Sequence, residues 1–216
     1  MNMSFISRFR RLFSKRKILR YIVYAGVPAL LFYVISLAAL SHLGFSFIEI
    51  LRDPAQQSGK SSFLGFLSSM GVWLWVSATT LCFFGAANDR TGGHGRHREL
   101  LFLMGMLSLM LGIDDFFMIH DRYIDQDLCY LAYAAFALTL LVRHFERIMQ
   151  IDGFSFLLSG TLLALSILTD LTQGYIPLRY SHSQVFEEGF KFIGAASWLY
   201  FAFMASKHAL CADENA

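Results

Sequence analysis

Eight ionisable side chains stand where an apolar sequence should carry none. Asp114, Asp115, His120 and Asp121 close the stretch LLFLMGMLSLMLGIDDFFMIHDRY at residues 100–123. Asp170 ends a later apolar run, and Glu187, Glu188 and Lys191 open the last one. An ionised Asp at mid-bilayer costs about 2.5 to 3.5 kcal/mol on translocon scales, so adjacent carboxylates there imply a helix face turned away from lipid. Three chemistries fit such a set. Asp114, Asp115, His120, Asp170, Glu187 and Glu188 are oxygen-rich donors with one imidazole, suited to a divalent Mn, Fe, Mg, Ca or Zn ion. Asp115, His120 and Lys191 would then be the catalytic groups of a hydrolytic or oxidative reaction on a lipid or envelope substrate. Alternatively, crowded carboxylates share protons along an ion or proton pathway, as in a coupled transporter or channel. In the third reading the acids and Lys191 pair with one another and only pin helices together, as in an accessory subunit of a membrane complex. The residues leave all three open.

The elements that must position these groups are membrane spans. Of the 216 residues 56% are hydrophobic and 16% charged, against about 25% charged in ordinary soluble domains. Six windows reach the roughly 20 residues that cross a hydrocarbon core: residues 18–43, 61–87, 99–123, 128–149, 154–173 and 185–208. The expectation is an all-α, six-span bundle over residues 18–208, preceded by a basic segment at 1–17 and followed by a tail at 209–216. Thirteen of the 18 Lys and Arg residues then fall on the N-terminal side of the membrane, four in the opposite loops, and Lys191 within a span. That bias is expected to place both termini in the cytoplasm. The connection 44–60 has room for a short interfacial helix before Asp53-Pro54, and Pro28 is a point where the first span could kink.

Helical phase refines the placement. At about 100° per residue, Asp114, Met118 and Asp121 share one face of the third span, with Asp115 beside them and His120 about 120° away. Glu187, Lys191, Gly194 and Trp198 are in phase on the sixth. Ser159, Leu163, Ser166, Asp170 and Gln173 form a small and polar stripe on the fifth, the usual face for close helix contact. All the charged faces lie at the non-cytoplasmic end, so the expectation is one acidic vestibule opening there.

Other features carry less. Phe5, Ile6, Phe9, Leu12 and Phe13 make one apolar stripe among Arg and Lys, so residues 1–17 form either an amphipathic helix on anionic lipid or a plain basic leader. His94 and His97 have a metal-like spacing but lie in a Gly-rich basic stretch that reads as a loop. His42 and His182, near the outer surface, either join the vestibule or face water, the expectation being water. Trp73, Trp75, Tyr130, Tyr133 and Trp198 read as packing or interfacial anchors. His120 alone sits in a span and sits high, so haem is not expected. A net charge of +2 gives no reason to expect nucleic acid. Cys82, Cys129 and Cys211 fall at three depths and suggest no disulfide. No phosphate-binding loop, Gly-x-Ser-x-Gly or His-Glu-x-x-His sequence occurs.

The patterns Asp114-Asp115-x4-His120-Asp121 and Glu187-Glu188-x2-Lys191-x2-Gly194 resemble a set of uncharacterised bacterial multi-spanning membrane proteins. Those pair an Asp-Asp/Glu-x4-His-Glu helix with a later Glu-Glu-rich helix followed by Gly. The likeness covers about a quarter of the chain, with Asp121 where Glu is usual and Lys191 where an acid is common. It implies a multi-span helical fold and brings no established activity. Intramembrane metal hydrolases of the alkaline-ceramidase type are similar in plan, though their His-x3-His signature is missing here.

Overall fold

A computed structural model describes residues 19, 22–52, 54–90, 95–172 and 180–211. The basic segment 1–17, His94, Gln173 and residues 212–216 of the tail lie outside the described residues. Two compact units divide the chain, residues 1–64 and 65–216.

In the first unit a π-helical turn, Ile22–Gly26, runs into α1 (Val27–His42). Pro28 sits in the first turn of α1, two residues past the π-helical turn. α1 is apolar on every side and buries none of its residues within the unit, the pattern of a helix solvated by something other than water. The expected short helix in the 44–60 connection is α2 (Phe47–Leu51), opened by a capping box. Ser46 Oγ accepts from the Glu49 N–H at 3.3 Å, and the Glu49 carboxylate accepts from the Ser46 hydroxyl at 2.7 Å and its N–H at 2.8 Å. The hydroxyl first, then the amide, hold the Glu49 carboxyl below its ordinary value. Their contribution is therefore present above the ordinary carboxylate range and is lost as pH falls through the lowered value. α3 (Pro54–Gln57) follows, and the Gln57 amide closes the loop on the Glu49 and Arg52 carbonyls.

The second unit contains α4 (Phe66–Ala87), α5 (Arg96–Phe117), the single turn α6 (Ile119–Arg122), α7 (Gln126–Thr172) and α8 (Tyr180–Leu210). Straight, the 47 residues of α7 would run about 70 Å. They do not. The Tyr130 hydroxyl donates to Asp170 at 2.8 Å, so the chain reverses between them. Non-helical backbone at His144 (φ −117°, ψ 20°) and Asp152 (φ −168°, ψ 81°) marks the break. α7 is thus two limbs of a hairpin, at the positions of the windows 128–149 and 154–173. Three described helices are long and apolar enough to cross a membrane, Phe66–Ala87, Arg96–Phe117 and Gln126–Thr172, and Val27–His42 is a shorter apolar one.

α4, α5 and α8 pack around Leu100, Leu101, Met104, Trp198 and Phe201. α5 and α8 run antiparallel, since Lys191 reaches Asp115 at one end and His97 reaches Ala205 at the other. Between these ends the indole N–H of Trp198 donates to Ser108 at 2.8 Å. The polar stripe expected on 159–170 is a helix-contact face: Ser159 donates to the Gly194 carbonyl at 2.9 Å and Ser166 to the Glu187 carbonyl at 2.9 Å. A Cβ on Gly194 would stand 3.0 Å from Leu163 Cγ and 3.2 Å from the Leu163 backbone nitrogen. Gly194→Val therefore forces α8 off the second limb of α7. Overpacking of this kind costs about 1 to 3 kcal/mol, and a fall on the order of 5 °C in detergent-solubilised melting temperature is expected.

Candidate functional site

α5 does not continue through His120. It ends at Phe117, and Met118 takes left-handed backbone angles (φ 53°, ψ 49°), the one such non-glycine among the described residues. A side chain there is strained, which a site tolerates when its surroundings fix the conformation. The turn folds residues 119–122 back over the helix end. As a result His120 meets Asp114 instead of pointing 120° away from it. The expectation of a continuous helix over 99–123, with Asp114, Met118 and Asp121 on one face, is corrected at this point.

The Asp114 carboxylate is buried, 4% exposed, and both its oxygens are engaged. Oδ1 accepts the His120 backbone N–H at 2.9 Å and Oδ2 pairs with the imidazole Nδ1 at 2.8 Å. Tyr133 on α7 reaches the same carboxylate. An ionised carboxylate only accepts, so Nδ1 carries a hydrogen and the neutral ring presents a lone pair at Nε2. Asp121 lies 3.5 Å from Nε2 and is largely exposed.

Asp115 faces a different set of partners. Its Oδ2 accepts the Trp75 indole N–H at 2.8 Å, and its Oδ1 lies 3.5 Å from Lys191 Nζ. Lys191 also pairs with Glu188 at 3.0 Å, one turn back. Glu187, expected to pair with Lys191, instead accepts from the Gln184 amide at 2.8 Å. Asp170 is held by Tyr130 and by the Gln126 side-chain amide. Trp75 and Tyr130, expected as packing or interfacial anchors, each donate to a partly buried acid: Trp75 from α4 to Asp115 on α5, and Tyr130 from the first limb of α7 to Asp170 on the second. The sequence signal for these roles was a polar tip on each aromatic ring.

Asp114, Asp115, His120, Glu187 and Lys191 line one cavity of about 190 Å³. Its polar end is completed by Tyr130 and Tyr133, and its other end is walled by Leu107, Leu111, Phe156, Leu163 and Trp198. Glu188 touches Lys191 from outside this cavity, in a smaller cleft with Asp115. Asp170 joins through Tyr130. The six residues expected as metal donors are therefore dispersed into separate pairings. Among the described residues no group of three or more His, Cys, Asp or Glu side chains is arranged to hold a metal ion.

His97 is corrected as well. Instead of lying in a loop it occupies the first turn of α5, fully buried, 3.0 Å from the Ala205 carbonyl and with its ring against His208.

Among the described residues the fold and site define an all-helical protein, with three helices long and apolar enough to cross a membrane and a cavity that is ionisable at one end and apolar at the other. The chain belongs to the family described as a domain of unknown function, DUF8692, which matches residues 19–205. No curated protein and no solved structure matches it.

Proposed function

We propose that this is a six-span bacterial inner-membrane enzyme, both termini cytoplasmic, that performs acid–base hydrolysis on a lipid-like or envelope amphiphile. The two limbs of α7 and the apolar faces of α1 and α8 support the count, and the Lys and Arg bias supports the orientation. The observation that carries the function is the Asp114–His120 pair at the polar end of a half-apolar cavity. An amphiphile would place its hydrocarbon against Leu107, Leu111 and Phe156 and its polar linkage beside His120. Asp114 fixes the ring so that Nε2 takes a proton from water. The hydroxide formed adds to the acyl carbon, the oxyanion is stabilised by the Lys191 ammonium, and the Nε2 proton passes to the leaving group as the acyl bond breaks.

Among the described residues the metal-centre version of this reading has no three-ligand cluster to support it. A proton pathway would need polar groups beyond the cavity, where Leu100, Leu101, Met104, Phe201 and Ala202 close the interior. The test is incubation of the purified protein in nanodiscs with envelope lipid extract, products being followed by mass spectrometry. The expected result is consumption of an acyl amphiphile by the intact protein and not by His120→Gln. Turnover lost to a chelator and restored by Mn²⁺ or Zn²⁺ would replace the metal-free mechanism with a metal centre, and no turnover of any lipid would remove the enzyme reading.

A further inference from the structure

At the opposite end of the second unit a group of cationic side chains surrounds a histidine that the proposed chemistry does not use. His144 lies at the first break in α7 and is 3% exposed, yet neither ring nitrogen has a hydrogen-bond partner. Leaving a buried donor or acceptor unpaired costs about as much as a good hydrogen bond contributes. That ring lines a cleft of about 600 Å³ with Arg96, Arg143, Arg147, Glu146 and Gln150. Arg143 is tied to Glu99 at 2.6 Å. Among the described residues Arg96 and Arg147 pair with no carboxylate. Arg96 also stands at the first position of the 22-residue α5, where exposed backbone N–H groups favour an anion.

We propose that this cleft binds a phosphate-bearing anion, supplied by an anionic phospholipid headgroup, with His144 donating to one phosphate oxygen and Arg96 and Arg147 to others. Guanidinium groups match phosphate in geometry as well as charge. Basic pockets between membrane helices are the usual seat of such headgroups. Three guanidinium groups against Glu99 and Glu146 leave the cleft positive even with His144 neutral. The cleft's size suits a headgroup with its glycerol. This site is independent of the acid–base centre at the other end.

The experiment uses the full chain in phosphatidylcholine nanodiscs with and without phosphatidylglycerol, with lipid retention read by native mass spectrometry. One phosphatidylglycerol is expected to be retained per protein, in preference to phosphatidylcholine. His144→Gln and Arg147→Gln should each weaken retention about 10- to 100-fold, the loss of one charge-assisted hydrogen bond. Arg147 is partly exposed, so its variant should melt like the wild type even where His144→Gln destabilises the fold. Millimolar inorganic phosphate that displaces the lipid, and raises the melting temperature in phosphatidylcholine alone, would support the same site filled by a soluble phosphate. Equal retention of both lipids, or wild-type retention by Arg147→Gln, would overturn the proposal.

Discussion

Lys191→Met is expected to destabilise the protein by about 3 kcal/mol, and Asp115→Asn introduced beside it is expected to restore most of the loss. Lys191 is the shared cation of Asp115 and Glu188. The Asp115 side chain is 13% exposed, and Asp114 directly precedes it in the chain. Deleting the ammonium leaves a buried carboxylate whose remaining partner is the Trp75 N–H. Breaking a buried pair from one side costs about 3 to 5 kcal/mol, because an uncompensated charge stays behind. The Lys191 side chain is 28% exposed, which places the expectation at the low end of that range. In the double variant no charge is stranded, and the Asn carbonyl still accepts from Trp75, so the two changes should couple strongly rather than add. Melting curves of the four proteins in one detergent measure this. Additive losses would mean that the Asp115–Lys191 pair holds nothing together. Comparison with Asp115→Asn alone separates structure from chemistry: turnover kept in that single variant and lost in the stability-restored double variant assigns Lys191 to the reaction.

How much of this arrangement could be read in the sequence depended on what set each position. Apolar windows located every long helix, because solvation by lipid dictates composition over some 20 residues. They also separated the two limbs of α7, where Asp152-Gly153 interrupts the run. Phase along unbroken helices worked too: Ser159 and Ser166 do contact α8, and Glu187, Lys191 and Trp198 do line one cavity. The convergence of residues 114–115, 187 and 191 was therefore legible. What failed was phase carried across a helix end. Nothing in Phe117-Met118-Ile119 announces a left-handed turn, since Gly or Asn would be the usual signal and Met is neither. The reversal that joins His120 to Asp114 is a tertiary outcome, fixed by the very bonds it creates.

A second group of residues was illegible for a different reason. His97 sits beside glycines and arginines, a local composition that says loop, yet burial against Ala205 makes it part of the helix core. His144 is one imidazole in a long helical run, with no partner at any telling spacing. Its environment comes from a backbone break and from Arg96 on another helix. Likewise the predicted donors Asp170 and Glu188 were placed at the correct end of the bundle, but spacing alone does not reveal that Gln126, Tyr130 and Lys191 would engage them first. A count of carboxylates does not by itself show which of them hydrogen-bond donors on the same helices will engage.

That distinction gives the remaining large prediction its force. If His120 is the proton acceptor, His120→Gln should lower turnover of the accepted amphiphile about 10²- to 10⁴-fold, the usual contribution of a positioned acid–base group. Asp114→Asn should do nearly as much by a different route. The Asn side chain keeps the shape of Asp114, and its carbonyl can still accept one bond from His120. Its amide, however, is a donor facing the ring or the backbone N–H, so the tautomer with a lone pair at Nε2 is no longer enforced. Substrate binding depends on the apolar walls, so KM should change little in either variant while kcat falls. A conformational role for Asp114 predicts the reverse: a lower melting temperature with kcat retained in the surviving protein. Leu111→Phe then tests the other half of the site from within the cavity. By filling space where hydrocarbon would lie, it should raise KM for long-chain substrates more than for short ones, with the Asp114–His120 pair untouched. Equal sensitivity of all chain lengths would detach the chemistry from this cavity.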